Sequence, residues 1–165
     1  MNITVRAARS GDAAAINAIY NPFIRTSPAT FEIVEHTEEQ RRRWIETLAA
    51  NPRHPAFVAE HDGAVIGYAN AAEFDPRAAY ETSVKVSVFV DPARHRTGAG
   101  GALYAALFEA LGRQDVHRAY ALIVAPNPAS VALHERFGFR QVSTLSEVGR
   151  KFGRYYDVMW FEKRL

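Results

Sequence analysis

The segment His95-Arg96-Thr97-Gly98-Ala99-Gly100 stands between a run with strand periodicity and a run typical of a helix. The first turn of a helix carries backbone N–H groups without intrahelical partners, and the helix dipole favours negative charge there. Glycines at 98 and 100 would let a phosphate approach the backbone, and Arg96 would add a cation. The segment therefore predicts an anion site; the alternative is a tight turn whose glycines only allow close helix packing.

The spacing of these glycines excludes two common nucleotide-binding motifs. No Gly-Lys-Ser or Gly-Lys-Thr follows them, so the segment is not a P-loop. Position 103 is leucine, so the dinucleotide fingerprint G-x-G-x-x-G is not completed.

Composition narrows the class of protein. The 165 residues are 48% apolar and 23% charged, which predicts one globular domain spanning residues 1–165. The formal net charge of +2 and the lack of a base-reading motif argue against nucleic-acid binding. The run Arg41-Arg42-Arg43 is interpreted as a solvated helix face.

The chain has no cysteine, which rules out disulfides, a thiol nucleophile and thiolate metal sites. No histidine has a convincing metal-ligand spacing to carboxylates, so no metal is expected. The N-terminus lacks the apolar core of a secretory signal, and no run approaches ~20 apolar residues. These features predict a cytoplasmic protein without a membrane segment.

The elements that must position the glycine turn follow from hydrophobic periodicity. Strands are predicted over residues 3–8, 56–60, 65–74, 84–90, 119–124, 139–145 and 155–163. Four helices are predicted. The first runs from an Asp12 cap to Tyr20, and the second from the Thr37 capping box to about Asn51. The third covers residues 98–111, and the fourth runs from an Asn127 cap through His134. Asn21-Pro22 is expected to end the first helix. This order predicts a mixed α/β domain with antiparallel hairpins and one strand–helix–strand crossover.

The order of strand, glycine turn, helix, strand, Asn-capped helix and "HERFGF" resembles the GNAT (Gcn5-related N-acetyltransferase) superfamily. Its turn reads Arg/Gln-x-x-Gly-x-Gly/Ala, and His95 replaces the first residue here. The blocks "YNPFIRTSPATF", "FVAEHDGAVIGYA", "AYETSVKVSVFV" and "VGRKFGRYYDV" resemble the phosphinothricin and methionine sulfoximine N-acetyltransferase group over nearly the whole chain. The resemblance implies a mostly antiparallel sheet of six to seven strands with about four helices, splayed between its two central strands.

The resemblance also implies acetyl-CoA as co-substrate. The pantetheine arm would pair with the backbone of Val88, Phe89 and Val90, and the pyrophosphate would lie on His95, Arg96, Thr97, Gly98, Ala99 and Gly100. Asn127 and Ser130 would contact the pantetheine arm, although Asn127 is equally explained as a helix cap.

His134 occupies the place where many relatives carry tyrosine. The resemblance implies that it donates a proton to the leaving CoA thiolate or positions the acetyl group, and histidine suits proton transfer near neutral pH. Phe31 and Tyr80 match positions that line the acceptor pocket, and both could equally be core aromatics. Arg77 is expected to face the same pocket.

Lys85 departs from the family pattern. The family's strand carries a glutamate there that removes the acceptor's proton, so a carboxyl with pKa ~4.3 is replaced by an amine with pKa ~10.4. Lys85 could lower the pKa of a bound amine, or pair with an acid of the substrate. Asp75 stands where relatives often carry a cation, which suggests a rearranged acceptor site with Glu73 or Glu81 as replacement base. These three acids could also be solvated loop charges.

The leading hypothesis is therefore a cytoplasmic, homodimeric enzyme that acetylates the primary amine of a small amino-acid-like molecule by direct transfer in a ternary complex. A backbone N–H of the strand ending at Val90 would polarise the thioester carbonyl. A relative that binds acyl-CoA with weak or lost catalysis is the alternative, and Lys85 is its main support. Acetylation of a protein N-terminus or an antibiotic is a third.

Overall fold

The structure is a computed structural model that describes residues 3–94 and 97–165. Within these residues the chain forms seven strands and four α-helices. The strands are β1 (Thr4–Ala7), β2 (Ala56–His61), β3 (Ala64–Glu73), β4 (Ser83–Val90), β5 (Arg118–Val124), β6 (Arg140–Lys151) and β7 (Arg154–Arg164). The helices are α1 (Ala13–Thr26), α2 (Glu38–Ala49), α3 (Ala99–Leu111) and α4 (Pro128–Arg136).

The seven strands form one sheet in the order β1-β2-β3-β4-β5-β7-β6. Its neighbours are antiparallel except β4 and β5, which are parallel and joined through α3. The predicted mixed, mostly antiparallel fold with one crossover is confirmed. None of the helices in the described part of the chain is long and apolar enough to span a membrane.

The two central strands separate along their length. β4 pairs with β3 over residues 84–90, from Glu73 opposite Val84 to Gly67 opposite Val90. It pairs with β5 only at residues 83–85, opposite residues 118–120. The remaining halves of β4 and β5 therefore face each other across an open gap, and the predicted splay is confirmed.

The alternation of β4 assigns its side chains to two different layers. Val84 and Val86 are buried in the larger core with Leu103 and Leu107 of α3. Phe89, on the opposite face, packs against a smaller core formed by α1, α2, β2 and β3. Because side chains alternate along a strand, Lys85, Ser87 and Phe89 all point toward α1 and α2.

Helix α1 is longer than the sequence predicts. It runs past Pro22 to Thr26, so the prediction that Asn21-Pro22 ends it is wrong. Ile24, beyond the proline, is 3% exposed, and this burial opposes the cost of the missing N–H. Lys151 supports the same end: its Nζ donates to Ser27 O at 2.8 Å and Thr30 O at 2.7 Å.

The predicted caps are partly confirmed. Thr37 caps α2, since its Oγ1 accepts from Gln40 N while Gln40 returns a bond to Thr37 N. Asp12 occupies the N-cap position of α1, but its carboxylate accepts from Arg6 and from Arg9 N instead of from the helix. A nearby guanidinium thus takes the oxygen atoms that would otherwise cap the helix.

The prediction of a solvated face for Arg41-Arg42-Arg43 is wrong for Arg41, which is 5% exposed. Helical periodicity explains the difference, because positions 41, 45 and 48 lie on the stripe of α2 that faces the sheet. Ile45 and Leu48 are buried on that stripe with Arg41.

The last hairpin extends further than predicted. β6 continues past residue 145 to Lys151 by way of an irregularity between Leu145 and Gly149. Phe152 and Gly153 then turn the chain with φ of 52° and 73°, the signs of a type I′ turn. The hairpin is therefore long enough to bring Lys151 against the end of α1.

Candidate active site

A cavity of about 320 Å³ lies where β4 and β5 separate, and we call it the splay cavity. Its lining comprises residues 86–90 of β4, 121–124 of β5, Arg94, Thr97, Gly98 and Gly100, Asn127, Ala129, Ser130, Leu133 and His134, with Phe23, Ala29 and Tyr104. It reaches from the α3 and α4 face of the sheet to the α1 face. The gap in the sheet is thus a passage between two layers.

The start of α3 forms one end of the splay cavity. Gly98 is the N-cap with φ 86°, a left-handed conformation that favours glycine, and no side chain caps the helix. A Cβ at Gly100 would lie 3.3 Å from Leu133 Cδ2, so this glycine keeps the wall open. Thr97 lines the cavity, whereas Ala99 is buried beneath it. His95 and Arg96, predicted for the same site, lie outside the described residues.

Residues 88–90 of β4 form one wall of the splay cavity. They pair with residues 67–69 of β3 on one side and lie beyond the last β5 pairing on the other. Backbone groups facing an open gap need a partner, and an extended ligand could supply it as a further strand would. Val88, Phe89 and Val90 are therefore brought together with the glycine turn as predicted.

The N-terminus of α4 closes the opposite wall. Asn127 Oδ1 accepts from Ser130 N at 3.1 Å, which confirms Asn127 as a helix cap. Asn127 and Ser130 both line the splay cavity. Both residues therefore lie at the cavity for which the sequence predicts a ligand contact, and Asn127 also caps α4.

His134 is 4% exposed and bonded at both ring nitrogens. Nδ1 lies 2.7 Å from Ser130 O, and because a carbonyl only accepts, Nδ1 carries the hydrogen. Nε2 then accepts from the Tyr104 hydroxyl at 2.8 Å. Burial lowers the pKa of His134, opposed by its bond to Ser130 O, so the imidazole is held neutral.

Tyr104 is a lining residue that the sequence reasoning missed. It is fully buried, and burial raises the pKa of its hydroxyl above the usual range. The signal was available: Tyr104 stands four residues after Gly100 on α3, and residues four apart lie on one face of a helix.

A second cavity, of about 330 Å³, lies on the other face of β4, and we call it the α1–α2 cavity. Its polar lining is Glu32, His36, Gln40, Arg41, Asn70, Lys85 and Ser87; its aromatic lining is Tyr20, Trp44, Tyr68 and Phe89. Ser87 and Phe89 also line the splay cavity, so the two cavities are neighbours across one strand. Lys85, which is exposed, belongs to this second cavity and not to the splay cavity.

The other predicted acceptor residues lie apart from both cavities. Arg77 Nε donates to Asp75 Oδ1 at 2.7 Å, and its guanidinium lies 5.0 Å from the Tyr80 ring centroid. The bond from Arg77 lowers the pKa of Asp75. Phe31 packs against Gly149, where a Cβ would overlap its ring. None of these four side chains lines the splay cavity or the α1–α2 cavity.

The two carboxylates considered as replacement bases also lie elsewhere. Glu73 is the last residue of β3, opposite Val84, and Glu81 lies 3.7 Å from Arg53. Neither lines the two cavities. Within residues 3–94 and 97–165, no three His, Asp or Glu side chains are grouped as metal ligands.

Comparisons with known proteins agree with this geometry. Residues 5–160 match the model of the acetyltransferase (GNAT) domain. The chain is 42% identical to a phosphinothricin N-acetyltransferase of Streptomyces coelicolor, covering 99% of this chain and 96% of that protein. It is 32% identical to an L-methionine sulfoximine/L-methionine sulfone acetyltransferase of Pseudomonas aeruginosa, covering 100% and 96%.

A solved structure has a closely similar fold. It is a phosphinothricin acetyltransferase from Sinorhizobium meliloti in complex with acetyl-CoA. Its TM-score to this chain is 0.95 at 31% identity, covering 100% of this chain and 89% of that one. The similarity therefore extends over the whole sheet, including the separated central strands.

Proposed function

The chain belongs to the GNAT acetyltransferase family, and on this basis we propose that it transfers the acetyl group of acetyl-CoA to the primary amine of a small amino-acid-like acceptor. The observation that carries the proposal is the splay cavity. It connects the N-terminus of α3, whose N-cap residue is Gly98, with the part of β4 that has no β5 partner. The similarity to phosphinothricin and methionine sulfoximine acetyltransferases supports an acceptor of that kind.

Acetyl-CoA would occupy the splay cavity. Its pyrophosphate would lie on the turn at residues 95–100, of which Thr97, Gly98 and Gly100 line the cavity, while the amide of buried Ala99 belongs to the same helix end. The pantetheine arm would pair with residues 88–90 of β4, and Asn127 and Ser130 would contact it from α4.

The chemistry is attack of a neutral amine on the thioester carbonyl, followed by departure of the CoA thiolate. A backbone N–H of β4 would stabilise the oxyanion of the tetrahedral intermediate. The chain has no cysteine, which removes the thiol as a carrier of the acetyl group, and the proposed route is direct transfer within a ternary complex.

Of the two roles considered for His134, its surroundings support positioning. An imidazole held neutral by burial, with its only N–H committed to Ser130 O, is a poor proton donor to a thiolate. It instead fixes the Tyr104 hydroxyl at the cavity wall through the 2.8 Å bond. His134 and Tyr104 thus act as one hydrogen-bonded unit in the wall of the cavity.

A homodimer is a further part of the proposal. Val148, Phe152 and Tyr155, around the β6–β7 turn, are each more than half exposed. Burying these side chains against a second copy would be favourable. Sedimentation of the purified protein tests this, as cell fractionation tests the proposed cytoplasmic location.

The experiment is amine-dependent release of CoA thiol, with mass spectrometry of the N-acetyl product. The amines are phosphinothricin, L-methionine sulfoximine, L-methionine sulfone and common L-amino acids. We expect turnover of at least one at about 1 per second or faster. Tight acetyl-CoA binding without amine-dependent release would instead support the binding-only role that Lys85 raised, for which the comparisons offer no support.

A further inference from the structure

Arg41 is a buried cation without an anionic partner. Its Nε donates to Asn17 Oδ1 at 2.9 Å, and its Nη2 is buried without a hydrogen-bond partner among the described residues. Arg42 and Arg43 form salt bridges to Glu38 and Glu39, whereas no salt bridge in the described chain involves Arg41. A buried guanidinium normally requires paired acceptors, so this one lacks part of its complement.

Aromatic rings hold the Arg41 guanidinium in place at the α1–α2 cavity. Its Cζ lies 4.7 Å from the Trp44 ring centroid and 4.9 Å from that of Tyr20. Rings that stack on a planar guanidinium leave its in-plane N–H groups for hydrogen bonds, and Arg41 lines the cavity in which an anion would supply the acceptors. Arg41 is thus fixed in orientation before any ligand arrives.

Lys85 adds a second cation to the same cavity. It is exposed on β4, on the face that also carries Ser87 and Phe89. Side chains on one face of a strand repeat about every 7 Å, so Lys85 and Phe89 are about 13 Å apart along β4. The shorter step from Lys85 to Ser87, about 7 Å, fits a small amino acid with one end near the cations and the other near Ser87, where the cavities meet.

The remaining titratable acid and base of the α1–α2 cavity, Glu32 and His36, lie next to each other. His36 Nε2 lies 3.7 Å from Glu32 Oε1, and both side chains are partly exposed. The ring of Tyr20 packs against both His36 and β4. Its centroid is 5.8 Å from that of His36 and 4.9 Å from that of Phe89. Histidine beside a carboxylate is suited to accept a proton near neutral pH.

We propose that the α1–α2 cavity is the acceptor site, where Arg41 and Lys85 bind the acceptor's carboxylate and His36, paired with Glu32, accepts the proton of its ammonium group. The inference rests on the proposed acetyl transfer and adds the side chains that recognise the acceptor's carboxylate and take up the proton of its ammonium group. It also assigns a base in a chain that has lysine where the family resemblance implies glutamate.

The proton and electron balance is complete without a further reactant. An N–H bond of the ammonium breaks and its proton passes to the His36 imidazole, then to solvent. The nitrogen lone pair forms the N–C bond at the acetyl carbon, and the C–S bond breaks with its electron pair on sulfur. The second amine proton is lost as the amide forms, and one proton converts the thiolate to free thiol.

The carboxylate assignment is tested with L-methionine sulfone and its decarboxylated analogue, 3-(methylsulfonyl)propan-1-amine, and with phosphinothricin as a second anionic acceptor. We expect kcat/KM of wild type to favour the anionic acceptors by at least about tenfold, since bonds to charged groups contribute that much. Arg41→Gln should reduce this ratio to about one and leave the acetyl-CoA KM within about twofold. Arg42→Gln, an exposed neighbour on the same helix, should keep the ratio.

Thermal melting and acetyl-CoA affinity establish that each variant is folded. Should Arg41→Gln fail to fold, Lys85→Gln at its exposed position carries the test, with a several-fold loss of the same ratio expected. A ratio unchanged in the folded variants overturns the carboxylate assignment and leaves the proposed function intact. Absence of transfer to any amine overturns the proposed function, and this inference with it.

The base assignment has its own readout. His36→Gln keeps the fold, because the backbone O of His36 accepts from Asn17 and Asn21 while its imidazole makes no such bond. We expect kcat to fall at least about tenfold at pH 7 and to recover as pH rises, because more of the amine is then already neutral. His61→Gln removes a histidine paired with Asp62 away from both cavities and should change nothing. A His36→Gln pH profile that matches wild type overturns the assignment.

Discussion

The splay cavity and the α1–α2 cavity meet at Ser87 and Phe89 but are built in different ways. The first offers main-chain groups to a ligand, at the free edge of β4 and at two glycines where α3 begins. The second is formed by side chains from α1, α2, the segment between them and β4. A ligand common to a whole family can be held by backbone, whereas a ligand that distinguishes its members needs side chains.

This difference explains why lysine at position 85 is expected to affect acceptor binding and not acetyl-CoA binding. A backbone site depends on glycine and strand geometry, so most side-chain changes leave it working. A side-chain site changes its preferred ligand when one charge reverses. Lys85, on the side-chain cavity alone, is such a reversal relative to the glutamate that the family resemblance implies.

The largest expected effect comes from filling the main-chain site. Gly100→Val places a branched side chain against Leu133 at the splay cavity, so acetyl-CoA affinity should fall about tenfold to hundredfold, or about 1.4–2.7 kcal/mol. Gly101→Val is the matched control, since a Cβ there makes ordinary contact with Arg136. Calorimetric titration with acetyl-CoA measures the affinity of both variants. Equal losses of affinity would contradict the assignment of acetyl-CoA to the splay cavity.

The next effect concerns the packing behind Phe31. Gly149→Ala introduces a Cβ that overlaps the Phe31 ring, so the free energy of unfolding should fall by about 1–3 kcal/mol. The double variant with Phe31→Ala should recover part of this loss, because the obstructing ring is gone. Gly11→Ala, where a Cβ meets nothing within 4 Å, is the control. Urea denaturation measures all three, and a purely additive double variant would refute the contact.

A smaller effect is expected at the His134–Tyr104 unit. Tyr104→Phe leaves His134 Nε2 without its hydrogen-bond donor and should lower the free energy of unfolding by about 1–1.5 kcal/mol. Tyr155→Phe, at a residue 60% exposed, should have almost no effect. The same urea experiment decides this, and equal effects at the two tyrosines would argue against a structural bond at the cavity wall.

The smallest effect is a pH dependence of stability. The pKa of His134 is lowered by folding, so the unfolded chain takes up its proton first as pH falls. Stability should therefore decrease below about pH 6.5, with a slope from this residue of at most about 1.4 kcal/mol per pH unit. His134→Gln should flatten the curve between pH 7 and 5, whereas the exposed His117→Gln should not. Parallel curves for wild type and His134→Gln would contradict the buried neutral imidazole.

Sequence patterns predicted what depends on local chemistry. The Thr37 capping box, the Asn127 cap and the glycine turn before α3 act within a few residues, and the structure has all three. Hydrophobic alternation in β4 also predicted which of its side chains enter the larger core.

What depended on distant contacts was not predictable in the same way. The helix continues past Pro22 because Lys151, more than 120 residues away, binds carbonyls at its end. Arg41 is buried because the rings of Tyr20 and Trp44 surround it, and Tyr104 is a site residue because α4 brings His134 to it. Each outcome follows from two segments that meet only in the folded sheet.

The most direct test of the two-cavity account is initial-rate kinetics of wild type and Lys85→Glu, with acetyl-CoA and an anionic acceptor both varied. Because Lys85 lines the α1–α2 cavity alone, we expect the acetyl-CoA KM to stay within about twofold. The acceptor kcat/KM should fall at least about tenfold, as a cation facing the carboxylate becomes an anion. A change in the acetyl-CoA KM with unchanged acceptor kinetics, or a wild type that releases no thiol to any amine, would contradict the account.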